Sequence, residues 1–332
     1  LSQDQLSELA KRTGLQLLPW GRRLTPLAWN FLNSPSLERW TRLEPDLVHA
    51  VAMGYPIATR KPLIVTVHDL GPLTHPEYFT GSGTWIMRRS LRQTINQAAA
   101  IICVSDSTAA ELIEVAGSTV KDRIVVIPEG VSDDFFGPVD EACLHALGNL
   151  PDKDTPFILS TGKLSPRKNV PGLIRALSRI ADDIPHHLVL VGGDGWSTEE
   201  IYRQLADTGL EGRVHFAGFV SDDQLRALYR RASAYVHPSL YEGFGLTVLE
   251  AMAATCPVIT SNVYSLPEVA GDAALLVDPH SVDEMAEAIL KLCTDEALAS
   301  RLRLDGLARA RTFTWRDCAH SVASVYREVA AV

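Results

Sequence analysis

Short apolar runs alternate with stretches of helical periodicity along almost the whole chain. The runs fall at 15–19, 46–50, 63–67, 100–104 and 123–127, then at 156–161, 187–191, 213–216, 233–238, 256–260 and 274–278. Helical patterns lie between them at 84–98, 170–181, 198–207, 222–231 and 282–293, and the chain ends in helical segments at 296–311 and 315–330. Strands alternating with helices predict parallel sheets covered on both faces. The rhythm breaks at 138–156, where Pro138, Pro151 and Pro156 flank a polar Asp152-Lys153-Asp154. That break predicts a first α/β domain over 1–145, a second over 152–314, and a closing helix at 315–332 that packs back on the first. Two such domains in tandem place a ligand cleft between the carboxyl ends of their sheets.

The length, 332 residues, suits two domains, and the apolar and charged fractions, 46% and 21%, are those of a globular protein. Cys103, Cys143, Cys256, Cys293 and Cys318 are scattered among apolar neighbours with no CxxC pair, which reads as reduced, buried thiols. No run approaches the ~18 apolar residues of a membrane span. The chain opens on a polar Leu-Ser-Gln-Asp-Gln rather than a signal peptide, so the expected location is cytoplasmic. The net charge of −9 argues against nucleic acid as a partner. It is unevenly spread, +4 over residues 1–100 and −13 over the rest, which hints at an anionic partner for the first part. Within 84–98, Met87, Leu91, Ile95 and Ala98 form an apolar stripe with Trp85, Arg88, Arg89 and Arg92 beside it. That face is either solvated or seated on an anionic membrane surface.

The densest chemistry lies at Tyr241-Glu-Gly-Phe-Gly-Leu246, with a second carboxylate at Glu250. A strand, a glycine turn and a helix present bare N–H groups and a positive helix terminus, which suits a phosphate. Glu242 before the helix and Glu250 two turns into it are placed to accept from sugar hydroxyls. Lys163, Arg167 and Lys168 follow the first strand of the second domain, where cations suit a diphosphate leaving group. Gly192-Gly193-Asp194-Gly195 also ends a strand; it lacks a full G-x-G-x-x-G and reads as a tight turn or a ligand contact. His68-Asp69 ends a strand of the first domain and faces the expected cleft, with His68 a site candidate and Asp69 a cap for the next turn. Ser105-Asp106 is explained by helix capping. Asp152-x-Asp154 has the shape of a metal-nucleotide motif but sits between linker prolines, and no His/Cys cluster has zinc spacing, so no metal is expected.

Together these segments resemble glycosyltransferase family 4, the retaining, metal-independent transferases of GT-B fold. The likeness rests on Ser165-Pro-Arg-Lys-Asn169, Phe216-Ala-Gly-Phe-Val-Ser221, Tyr241–Leu246 with Glu250, and Leu266-Pro-Glu-Val-Ala-Gly-Asp-Ala-Ala274. The resemblance implies two Rossmann-like α/β domains facing each other across a cleft. It implies that Lys168 binds the donor diphosphate, with Arg167 and Lys163 beside it. Backbone N–H groups of Phe244, Gly245 and Leu246 would reach the phosphate and sugar, Glu242 the donor sugar, and Glu250 the ribose. Phe219 and Val220 stand where the family reads the base, and His68 where it approaches the donor sugar. The leaving diphosphate would take the acceptor proton on a front-face route, so no protein base is required.

His68-Asp-Leu-Gly-Pro-Leu73 and Pro76-Glu-Tyr-Phe79 are most similar to bacterial mannosyltransferases of polysaccharide assembly. The expected reaction moves a hexose, mannose or glucose, from a nucleoside-diphosphate sugar to a glycan or lipid-linked acceptor, at the inner face of the membrane. GDP-mannose is the first expected donor and UDP-glucose the second. Glu129 replaces an asparagine common in the family's Pro-Asn-Gly turn. The family usually opens with a strand and a glycine-rich loop, whereas Leu1 opens what reads as a helix. That departure adds the expectation of an impaired nucleotide-sugar binder, and a nucleotide-sugar epimerase of the same fold is the alternative enzyme. A nicotinamide dehydrogenase would need a G-x-G-x-x-G fingerprint, which is absent.

Overall fold

The computed structural model describes residues 28, 29, 32, 34–41, 43–54, 56–79 and 81–331. The run at 15–19 and the opening segment lie outside them. The first sheet is parallel, with β1 Val48–Ala50, β2 Leu63–Val67, β3 Ala98–Cys103 and β4 Ile124–Val126 side by side in chain order. Helix α1, Gly81–Gln97, joins β2 to β3, and α2, Asp106–Ala116, lies between β3 and β4. Period-two alternation sends Leu63, Val65, Val67, Ile101 and Cys103 to one face, against Leu91 of α1 and Leu112 of α2. Ala98, expected to end the α1 stripe, instead begins β3.

Ile64, Ala100 and Ile102 point to the opposite face, which needs its own cover. The cover is the last helix, α10, Trp315–Ala330, through Val322, Val325 and Val329. Thr314 caps it by accepting from Asp317 N. Burying one such valine is worth about 1.5–3 kcal/mol. The chain crosses between domains at two adjacent places, tied by Val131 N donating to Phe313 O at 3.1 Å.

The second sheet is also parallel and runs β10-β9-β8-β5-β6-β7. Its strands are β5 Phe157–Thr161, β6 His187–Val191, β7 Val214–Gly218, β8 Ala234–His237, β9 Val258–Ser261 and β10 Leu275–Val277. Helices α3 Val170–Arg179, α4 Glu199–Thr208, α5 Asp222–Arg231, α6 Leu246–Ala253, α7 Leu266–Ala270, α8 Val282–Thr294 and α9 Glu296–Ala310 cover it. Ile158, Leu188, Leu190, Val236 and Ile259 face α3, α4, α8 and α9, while Phe157, Leu159, Val189, Tyr235 and Val258 face α5, α6 and α7. Local signals set the helix starts; Ser221 and Gln224 form a reciprocal capping box at α5.

One feature of this order decides where chemistry can occur. β5 lies between β6, which follows it in the chain, and β8, which comes two strands later. The chain leaves β5 and β8 in opposite directions, so a crevice opens at their carboxyl ends. The loops 162–169 and 238–245 both empty into it.

Candidate functional site

Arg167 and Lys168 lie in a short 3-10 turn after β5, held by Asn169, whose left-handed backbone (φ 52°) starts α3 and whose Nδ2 donates to Pro279 O at 2.7 Å. The turn is joined to the β8 loop by Leu240 N donating to Arg167 O at 2.8 Å. Glu242, at the centre of that loop, receives four donors on one oxygen. Arg167 Nη1 is 2.5 Å from Oε1, Lys168 Nζ 2.8 Å, Ser239 Oγ 2.8 Å and His237 Nε2 3.1 Å.

Burial raises the cost of the Glu242 charge, yet Lys168, Arg167 and His237 outweigh it and hold the carboxyl well below its usual value. Burial pushes the Lys168 ammonium down, and the Glu242 carboxylate opposes that shift. His237 is driven down to about 4 by burial and by Lys168, so it is neutral near pH 7.

Gly245 precedes α6 with φ 118°, a left-handed backbone that leaves the first N–H groups of α6 directed away from the helix body. Ser265 Oγ lies 2.9 Å from Glu242 O and 2.7 Å from Phe244 O and shares its one proton between them, which holds the loop carbonyls on the protein side. A positive helix end and two cations therefore converge with Glu242 at the crevice. The 192–195 turn is pinned to the loop after β5, with Leu164 N donating to Gly193 O at 3.1 Å.

Glu250 lies on α6, where its Oε2 is 3.3 Å from Tyr229 Oη. Burial pushes its carboxyl up to about 7, Asp222 adds to the rise, and Tyr229 and Lys168 oppose it. Phe219 and Val220 follow β7 in the turn that leads to Asp222. The Phe219 ring is 90% exposed while Val220 is buried in the core, an anchored backbone with an aromatic ring presented to solvent. Lys163 is exposed and lies 5.6 Å from the Trp196 ring centre, away from Glu242.

The first domain closes the crevice from above. A side chain at Gly243 would meet His68 O at 1.8 Å, so only glycine lets these two loops touch. Gly243 O accepts from Ser105 Oγ and Thr108 Oγ1 at 2.7 and 3.0 Å. Tyr241 Oη accepts from Leu70 N at 2.9 Å and donates to Glu111 at 2.7 Å. Glu268 of α7 accepts from Asp106 N and Ser107 N, at 3.0 and 3.3 Å, and so caps α2 from the other domain. Asp69 accepts from Gly71 N and caps the turn that follows.

His68 has an acceptor at each ring nitrogen, Glu129 Oε1 at 3.0 Å from Nδ1 and Val51 O at 2.8 Å from Nε2. The Glu129 hydrogen bond is the main cause of a raised pKa, opposed by burial. A ring that donates at both nitrogens is an imidazolium, which offers positive charge and cannot act as a base.

The structure brings Arg167, Lys168, Glu242 and the Phe244–Leu246 turn, all candidates from the sequence, to one place. Sequence reasoning missed Thr161, Tyr229, Tyr235, His237, Ser239, Tyr241, Ser265 and Glu268. A His at the end of an apolar strand was the one available signal, at His237; hydroxyls inside apolar runs carry none. Among the described residues, no group of three or more His, Cys, Asp or Glu is arranged to hold a metal ion.

Residues 148–309 match the family described as glycosyl transferases group 1, and residues 5–135 match glycosyltransferase family 4. The chain is 35% identical to the O-antigen chain mannosyltransferase B of Escherichia coli over 267 residues, 80% of this chain and 70% of that protein. It is 34% identical to the serotype-specific mannosyltransferase WbdA of Escherichia coli over 266 residues, 77% of this chain, but spans only about a third of that relative's length (32%). Among solved structures, a sucrose-phosphate synthase from Thermosynechococcus elongatus superposes with a TM-score of 0.70 at 27% identity, covering 86% of this chain and 74% of that one.

Proposed function

The chain belongs to glycosyltransferase family 4 and has the GT-B fold, and from that premise we propose that it transfers mannose from a nucleoside-diphosphate donor to a glycan or lipid-linked acceptor. Configuration is retained and no metal ion takes part. The observation that carries this reading is the meeting of Arg167, Lys168 and Glu242 beside the α6 N-terminus. The mannosyltransferase relatives favour mannose over glucose, and GDP is the first base to test.

In this reading the diphosphate takes Arg167 and Lys168 from Glu242 and lies against the N–H groups of Phe244, Gly245 and Leu246, while Lys163 stays aside over Trp196. These groups stabilise the charge that gathers as the bond from the anomeric carbon to the diphosphate oxygen breaks. The acceptor hydroxyl forms its bond to that carbon on the same face, and its proton passes to a diphosphate oxygen. Glu242, released from two of its donors, turns to the sugar hydroxyls. His68 faces the sugar as a cation. Glu250 accepts from the ribose, and the Phe219 ring and the Val220 backbone receive the base.

Calorimetric titration of the chain with GDP, UDP, GDP-mannose and UDP-glucose, in the presence of a chelator, tests the donor site. Saturable binding of one nucleotide and its sugar is expected, and it should be lost in Glu250→Ala. A folded chain that binds none of the four, or binds only when divalent metal is added, refutes the reading. Binding should also release a proton near neutral pH. Glu250 free sits at about 7, whereas ribose hydroxyls donate to a carboxylate. Affinity should therefore rise about fivefold from pH 6 to pH 7, about tenfold by pH 8, and level off above that.

We also propose that α1 rests on an anionic membrane at its cytoplasmic face through Arg88, Arg89 and Arg92. Arg88 and Arg92 are exposed, and Arg89 lies 5.7 Å from the centre of the half-exposed Trp85 ring. No helix of the described residues is long and apolar enough to cross a membrane. Co-sedimentation with phosphatidylglycerol vesicles should exceed that with neutral phosphatidylcholine and fall when the three arginines become glutamine. Equal sedimentation with both lipids would count against the contact.

A further inference from the structure

The two glutamates that frame α6 are connected through the interior of the second domain. His237 Nε2 lies 3.1 Å from Glu242 Oε1, and His237 Nδ1 lies 3.0 Å from Tyr235 Oη. Tyr235 Oη is 2.9 Å from Thr161 Oγ1, Thr161 Oγ1 is 3.3 Å from Tyr229 Oη, and Tyr229 Oη is 3.3 Å from Glu250 Oε2. All four intervening side chains are buried. Polar groups at such depth are costly unless each proton has an acceptor, so the proton positions can be counted along the series.

We infer that Tyr229, Thr161, Tyr235 and His237 are positioning residues that tie the proton on Glu250 to the charge on Glu242. The inference rests on the reading above, in which Glu250 holds the nucleotide. Glu242 is an anion and therefore accepts, so His237 donates from Nε2. Neutral His237 then has a lone pair at Nδ1, which Tyr235 fills by donating its hydroxyl proton; Thr247 Oγ1 is a longer neighbour at 3.5 Å. Tyr235 oxygen is left as an acceptor for Thr161, and Thr161 oxygen becomes an acceptor for Tyr229 at 3.3 Å, in competition with the Thr247 carbonyl at 3.4 Å. A Tyr229 proton spent on Thr161 leaves the Tyr229 oxygen facing Glu250 as an acceptor, which favours a protonated carboxyl there. When Glu250 ionises, Tyr229 turns its proton to the carboxylate and loses its bond to Thr161. The anion at one end thus sets the polarity that reaches the other.

The other groups around these carboxyls do not impose the same order. Asp222 from the start of α5 favours a proton on Glu250, while Lys168 from the loop after β5 opposes it. Cys256 and Tyr235 face Tyr229, and Arg167 and Lys168 face His237. Burial and Asp222 raise the Glu250 carboxyl, and the hydroxyl series adds a direction that can be removed without touching either glutamate.

The test is a carbon-13 titration of the Glu250 side-chain carboxyl in the ligand-free chain and in Thr161→Val, Tyr235→Phe and Tyr229→Phe. Thr161→Val removes the acceptor that draws the Tyr229 proton, and Tyr235→Phe frees Thr161 to donate to Tyr229. Both should lower the Glu250 midpoint by about one pH unit. Tyr229→Phe removes the donor to the carboxylate and should raise it. Midpoints in Thr161→Val and Tyr235→Phe that stay within a few tenths of a unit of the parent, or move upward, overturn the inference. Should Tyr235→Phe fail to fold, the isosteric Thr161→Val decides alone. The pH dependence of GDP affinity should shift in Thr161→Val by the same amount as the carboxyl titration. Absence of GDP binding to the parent chain would refute the nucleotide reading, while the titration still decides the hydroxyl series.

Discussion

Replacing Lys168 with alanine should lower kcat/KM for mannosyl transfer by about two to three orders of magnitude, the usual loss when one donor to a developing oxyanion is removed from a water-poor site. The geometry gives Lys168 no easy substitute. Its side chain is 13% exposed, its ammonium lies 2.8 Å from Glu242, and Lys163 is drawn aside over Trp196. Arg167 alone would then face both Glu242 and the diphosphate. Lys168→Arg should recover little, because a second, bulkier guanidinium would crowd Gly162 and compete with Arg167 for the same Glu242 oxygen. Steady-state transfer assays on both variants check this, with nucleoside diphosphate affinity as a companion measurement. Activity within threefold of the parent in Lys168→Ala would remove Lys168 from the leaving-group site.

Glu242→Gln should destabilise the second domain by about 3 kcal/mol near neutral pH and abolish most activity. The carboxylate neutralises two largely buried cations, and removing one partner from such a group leaves unpaired charge in a poor solvent for it. The pH dependence separates this from a simple loss of packing. Glu242 is held well below its usual value, so its contribution is present above about pH 4.5 and is lost as pH falls through its depressed value in the folded chain. The gap between parent and variant should therefore be constant from pH 6 to 8 and narrow in acid. Denaturant unfolding across that range measures it. A gap that stays the same down to pH 3 would mean that the Glu242 charge does not stabilise the fold.

The strands and helices of both domains were legible because each is written locally. Leu63–Val67 and Phe157–Thr161 are mainly apolar runs, broken only by the hydroxyls of Thr66, Ser160 and Thr161, and both are buried on both faces. The segments at 222–231 and 282–293 carry helical spacing after a serine cap, and they form α5 and α8 with Ser221 and Ser281 capping. Ala98 fits the end of the α1 stripe and the start of a strand equally well, as small apolar residues do, and pairing of β3 with β2 assigns it to the strand. The loop cations and the Glu-Gly-Phe-Gly turn were legible as phosphate chemistry because charge and glycine stand out next to apolar runs.

Local pattern therefore specifies the list of parts, namely two α/β units, the loops at their strand ends, and the charges those loops carry. Tertiary structure decided which parts meet. Glu242 bonds to a lysine 74 residues away because β5 pairs with β8 across the reversal in strand order. The Thr161–Tyr229–Tyr235–His237 series, the Tyr241–Glu111 bond and the Glu268 cap on α2 likewise join groups far apart in the chain. A hydroxyl in an apolar run has no local mark of its partner. Its cost of burial is settled only when sheet order and domain contact bring an acceptor within reach, and that is a property of the folded whole.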